Sequence, residues 1–189
     1  MKILIIGGVA AGTKAAAKLK RENRDLDITI IAKDGDISYA GCGLPYYIGG
    51  FIEDRSSLIV NTPQKYAAMT GVNVFTNVEA TAVDNDNHIV TAKNLITNEE
   101  TTYTYDKLII ATGASPITPP IEGIKKQGVF SLRLPNDAVN IRDYVTNNQV
   151  KKAVIVGGGF IGLEVAENLL AQKVDVTVID FAPQIMPNV

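Results

Sequence analysis

The chain opens on a run over residues 2–6 that is continuously apolar after Lys2, with no polar residue alternating into it. Such a run predicts a strand buried on both faces, as in a parallel sheet. The loop Gly7-Gly8-Val9-Ala10-Ala11-Gly12 follows at once. Next comes an alanine-rich helix from Thr13 to Asn23, basic toward its end, and a second apolar strand over Ile28–Ile31. The same order recurs in the second half. Ala153–Val156 reads as a buried strand, 157–162 as a glycine loop, Leu163–Gln172 as a helix and Val176–Ile179 as a strand. Between the two βαβ units the pattern changes to short β-rich pieces at Val72–Phe75, Ala80–Val83, Ile89–Ala92 and Thr101–Tyr105. Polar turns at Asn85-Asp86-Asn87 and Asn98-Glu99 separate them, which predicts an antiparallel meander over about 72–105. Leu108–Thr112 then returns as a buried strand.

Shorter signals complete the outline. Gly49-Gly50 reads as a helix stop after a helix beginning near Leu44-Pro45, and Pro63–Met69 as a short helix. Residues 115–128, rich in Pro and Gly, form a crossover. Asn136 or Asp137 caps a helix running to about Asn147. The fold class is α/β, with two Rossmann-like dinucleotide-binding units and a small antiparallel meander.

Composition narrows the chemistry. Net charge is −2 without a basic run, which points away from nucleic acid and anionic membranes. No apolar run approaches the ~18 residues of a membrane span. One Cys cannot close an internal disulfide, which fits a reducing cytoplasm. The one His, His88, sits in a polar run and reads as a turn or strand-end residue, so no metal site or Ser-His-Asp triad is expected.

A strand, a glycine loop and a helix N-terminus together attract a pyrophosphate through free backbone N–H groups and the helix dipole. The second loop, Gly157-Gly158-Gly159-Phe160-Ile161-Gly162, is a full G-x-G-x-x-G, and Asp180 follows its second strand at close to the roughly 20-residue spacing of a ribose-binding acid. That acid accepts from ribose hydroxyls and repels a 2′-phosphate, which favours NADH over NADPH. The first loop departs twice. Val9 replaces the middle glycine, and Ala32 replaces the acid, leaving the ribose to Lys33, Asp34, the backbone or water. Cys42 lies in Ser38-Tyr39-Ala40-Gly41-Cys42-Gly43-Leu44-Pro45, just before the expected helix. It reads either as a thiol activated by the helix dipole or as a small buried turn residue.

These features in this order resemble the pyridine nucleotide-disulfide oxidoreductase family across the whole chain. The motifs that carry the resemblance are 5–12, the cysteine segment, Tyr105–Ala114, Leu132-Arg133 before Asp137-Ala138, and the second glycine loop with Glu164. The resemblance implies the family's FAD/NAD(P)-binding three-layer fold, with an FAD-binding domain over 1–113 and an NAD(H)-binding domain over 114–189. It places FAD at Gly7, Gly8, Val9, Ala10, Ala11, Gly12, Lys33, Ser38, Cys42, Ala80, Ala111, Thr112 and Gly113, and puts Arg133 near the domain junction. It places NADH at Gly157, Gly159, Phe160, Ile161, Gly162, Glu164 and Asp180.

Two-cysteine members carry a second Cys five positions on, where this chain has Tyr47. The resemblance is therefore to the single-cysteine branch, which holds coenzyme A-disulfide reductases, NADH oxidases and NADH peroxidases. Oxidases and peroxidases of that branch carry a His where this chain has Ala10, so the first loop is more like the reductase type. The implied function is FAD-dependent NAD(P)H oxidoreduction with Cys42 as the catalytic group. Coenzyme A disulfide is the expected substrate; the alternative is oxygen or peroxide, with Cys42 cycling through a sulfenic acid. A cytoplasmic homodimer is expected of the full-length protein. Family members continue well past Val189, so the C-terminal part is expected to be missing here, and a non-catalytic dinucleotide-binding fragment is the remaining alternative.

Overall fold

The computed structural model describes residues 1–186. Contacts divide it into two units, 1–39 with 59–114, and 40–58 with 115 onward. The division assigns residues 40–58, inside the 1–113 span read from the sequence as one domain, to the second unit.

The first unit is built on a parallel sheet of order β3-β2-β1-β7. Strands β1 (Lys2–Ile6) and β2 (Asp27–Ala32) pair in parallel, with Ile6 opposite Ile31. Helix α1 (Ala10–Glu22) crosses between them. It begins three residues before the sequence expectation, because Ala10 and Ala11 extend the helix into the glycine loop. The apolar runs of β1 and β2 end buried as expected. Those at Leu108–Thr112 and Ala153–Val156, also expected to be buried, are half-buried to exposed, with Ile110 at 66% and Val156 at 70%, because no further layer of the described residues covers them. Ile5, Ile30 and Ile31 are inaccessible to solvent, and Ala16 packs from α1 onto Ile5 and Ile30 in one core cluster.

Helix α3 (Pro63–Thr70) starts on Thr62, whose hydroxyl accepts from the Lys65 N–H at 3.2 Å. It ends on Gly71 in the left-handed region, at φ 69°. Strand β3 (Asn73–Thr76) then pairs in parallel with β2. This corrects the sequence reading, which put residues 72–75 in the meander. The meander is β4 (Val78–Asp84), β5 (Ile89–Asn94) and β6 (Glu100–Thr104). Strand β7 (Lys107–Ile110) closes the parallel sheet beside β1.

In the second unit, β8 (Lys152–Val156) and β9 (Asp175–Ile179) pair in parallel around helix α5 (Phe160–Ala171). Helix α4 (Pro135–Asn147) precedes them. Its cap differs from expectation: Leu134 is the N-cap, and the Asp137 carboxylate reaches back to accept from the N–H groups of Arg133 and Leu134 at 2.8 and 2.7 Å. A 3-10 turn (Gly41–Gly43) carries Cys42 into the short helix α2 (Leu44–Ile48), and both belong to this unit.

Candidate functional site

Four of the helices divide by how their N-termini are satisfied. In α3 the Thr62 hydroxyl accepts from a first-turn N–H, and in α4 the Asp137 carboxylate accepts from the N–H groups of Arg133 and Leu134 just ahead of the helix. Helices α1 and α5 have no side-chain cap and no acidic residue in the first turn. An uncapped helix start leaves orphan N–H donors, and those of α1 and α5 emerge from the two glycine loops. The two helix starts without a side-chain cap are thus the ones where the sequence places a diphosphate.

The loops share one frame. Gly7 and Gly157 take φ of 113° and 111°, a region that favours glycine. Each donates to the carbonyl at the end of the neighbouring strand, Ile31 or Ile179, at 2.8 Å. Gly12 and Gly162 bring helix and loop together, since a Cβ there would sit 1.8 and 2.0 Å from the carbonyl oxygens of Gly7 and Gly157. Phe160 and Ile161 open α5 and are exposed, and among the described residues no atom beyond its chain neighbours lies within 4 Å of a Cβ built on Gly159. Glu164 is half-buried on α5, and its carbonyl accepts from Asn168. Both loops therefore fit a dinucleotide diphosphate.

At the strand ends the units diverge. Asp180 Oδ2 accepts from the Gly158 N–H at 2.5 Å, and Oδ1 from the Ala182 N–H at 2.7 Å. The Gly158 N–H, then that of Ala182, holds this carboxyl below the usual range and keeps it charged. Its counterpart Ala32 is buried with Ile37 beside Gly8. Lys33 turns to Glu79 on β4 at 2.8 Å, and this pairing raises the lysine pKa. Ala80, the next residue, stands at a bulge in the β4–β5 pairing. Ser38 donates its N–H to the Gly8 carbonyl at 2.9 Å. Ala111 forms the wall behind Gly7, followed by exposed Thr112 and Gly113. Arg133 is exposed ahead of α4.

Cys42 is exposed, so the reading of it as a buried turn residue does not hold. The helix after it is a single short stretch, Leu44–Ile48. Among the described residues no cluster of His, Cys, Asp and Glu could hold a metal ion.

One feature escaped the sequence reading. A cleft of about 970 Å³ runs along α1, lined by Lys14, Lys20, Arg21 and Arg24 together with Ser38 and Tyr39. From the sequence these residues read only as the basic end of a helix. Lys14, Lys20 and Arg21 lie on α1 and Arg24 just beyond its end, and their meeting along one cleft with Ser38 and Tyr39 is a tertiary feature that carries no local sequence signal.

The family described as pyridine nucleotide-disulphide oxidoreductase matches residues 1–189. The chain belongs to this family. It is 39% identical over 178 residues to a coenzyme A disulfide reductase of Staphylococcus haemolyticus, covering 94% of this chain and 40% of that one. It is 37% identical over 187 residues to an NADH oxidase of Methanocaldococcus jannaschii, covering 99% and 42%. The crystal structure of reduced CoADR-RHD of Bacillus anthracis superposes with a TM-score of 0.95 at 38% identity, over 98% of this chain and 34% of that one. The chain thus spans about 40% of the length of these curated relatives. The expected fold class and the FAD and NAD(H) pair agree with this membership. Among the described residues no helix is long and apolar enough to cross a membrane.

Proposed function

We propose that the protein to which these residues belong is an NADH-dependent reductase of coenzyme A disulfide, with Cys42 as its nucleophile. The observation that carries this reading is the basic cleft along α1. Oxygen and peroxide offer nothing for Lys14, Lys20, Arg21 and Arg24 to bind, whereas coenzyme A carries phosphates. Ser38 and Tyr39 line the same cleft, and Cys42 follows Tyr39 by three positions in the chain.

On this reading the first loop, Gly7–Gly12, holds the FAD diphosphate, with Ser38, Ala80, Ala111, Thr112 and Gly113 as further contacts. The second loop and Asp180 hold NADH. FAD, when bound, supplies the hydride-accepting chemistry. The chain's own step is disulfide exchange. The Cys42 thiolate attacks one sulfur of the disulfide, forming a Cys42–coenzyme A mixed disulfide as the other coenzyme A leaves as thiolate. Two electrons from NADH and a proton then release the second thiol and restore Cys42. The working protein is a cytoplasmic homodimer. The NADH oxidase relative supports a second reading, in which Cys42 cycles through a sulfenic acid against oxygen or peroxide.

The full-length protein supplied with NADH should turn over coenzyme A disulfide faster than oxygen or peroxide. Substituting Arg21 and Arg24 by Gln should raise KM for coenzyme A disulfide about tenfold for each lost charged hydrogen bond. Turnover of a phosphate-free disulfide should stay level. Faster oxygen consumption than disulfide reduction, indifferent to those substitutions, would establish the oxidase reading instead.

A further inference from the structure

The helix after Cys42 is gripped by two helices that lie far away in sequence. On α4, the Arg142 guanidinium stacks over the Tyr47 ring at 4.6 Å. The same group donates to the carbonyls of Ile52 at 3.1 Å and Glu53 at 2.9 Å. Beyond α5, Gln172 donates through Nε2 to the carbonyl of Ile48, one of the orphan acceptors at the end of α2. One turn earlier, Asn168 is 2% exposed and presses on Gly49; a Cβ there would sit 2.2 Å from its Oδ1. Leu44, Pro45, Tyr47 and Ile48 are buried in the same unit, while Cys42 stays exposed at the open end.

A five-residue helix has little stability of its own, so its place is set by what holds it. These contacts meet the Tyr47 ring, the carbonyls of Ile48, Ile52 and Glu53, and the space where Gly49 lacks a side chain, and none of them is to the thiol. We propose that Arg142 and Gln172, with Asn168 seated on Gly49, are positioning residues for Cys42, so that the nucleophile is carried by the unit that bears the second dinucleotide loop. Helix α5 has this role at one end and the Gly157–Gly162 loop at the other. The inference rests on the reading of Cys42 as the nucleophile, but its test needs neither turnover nor bound flavin.

Cys42 is the single cysteine of the chain, so alkylation by iodoacetamide reports on it alone. The Arg142→Met/Gln172→Leu double variant should show amide exchange over residues 44–49 at least ~10-fold faster than the parent, with β1 and β2 unchanged. Its Cys42 alkylation rate should differ at least ~3-fold across a pH series. Arg142→Lys, which keeps a donor, should lie between. Glu167→Gln, on the exposed side of α5, should match the parent. If the double variant loses its circular dichroism, the Gln172→Leu single variant decides by the same two measurements. Exchange and alkylation both equal to the parent's would overturn the proposal. Failure of the disulfide reductase reading would show separately, as Cys42→Ser enzyme that still turns over coenzyme A disulfide.

Discussion

The two strand–loop–helix–strand units differ first in what stands behind the leading glycine of each loop. Behind Gly7 is the Ala111 carbonyl at the end of β7, 2.1 Å from where a Cβ would be. Behind Gly157, among the described residues, there is nothing within 4 Å. The strands show the same contrast. All of β1 after Lys2 is buried, whereas Val154 and Val156 on β8 are 65% and 70% exposed. Yet the frames agree into the turn beyond the second strand. Ser38 and Met186 take φ of 49° and 51°, and each donates to the carbonyl of the second loop glycine at 2.9 Å. The two loops therefore share one geometry, held by their glycines and the backbone next to them.

The largest break in that comparison should come at the leading glycines. Gly7→Ala meets both an unfavourable φ and the Ala111 carbonyl, and should destabilise by at least about 3 kcal/mol. Gly157→Ala meets the φ strain alone, and should lose about 1–2 kcal/mol. Urea unfolding of the two variants measures the gap. Equal losses would mean that the wall behind Gly7 yields.

A smaller and sharper test concerns the strand-end acid. Asp180→Asn should lower NADH affinity about tenfold and remove most of the preference over NADPH, read by fluorescence titration. The Asp180 carboxyl is held below its ordinary pKa chiefly by the Gly158 N–H. The stabilisation it gives is therefore full above the unfolded value and is lost as pH falls through the lowered folded one. NADH preference should stay flat through neutral pH and decline only in acid.

Much of the frame was legible because its signals are local. The apolar runs of β1, β2, β8 and β9, the two glycine loops and Asp180 are each visible within a few residues. The errors came from pairing at a distance. Strand β3 has the same short alternating texture as the meander, and only its parallel register with β2 separates it. The cap of α4 was misplaced by two or three residues because Asp137 works backward from the third helical position onto Leu134. The grip on α2 was invisible for the same reason: Gln172 and Ile48 are 124 residues apart. The basic cleft was hidden because charge on a helix end reads as a solvated surface until its neighbours are known.

The central claim, a cysteine that exchanges with a phosphate-bearing disulfide, can be tested on this chain without any redox partner. Incubated with coenzyme A disulfide, the chain should gain the mass of one coenzyme A at Cys42, releasing one equivalent of coenzyme A thiol. The reaction should saturate with disulfide concentration and outpace an unstructured peptide spanning Tyr39–Tyr47. A chain that remains unmodified, or reacts no faster than that peptide and without saturation, would contradict the account.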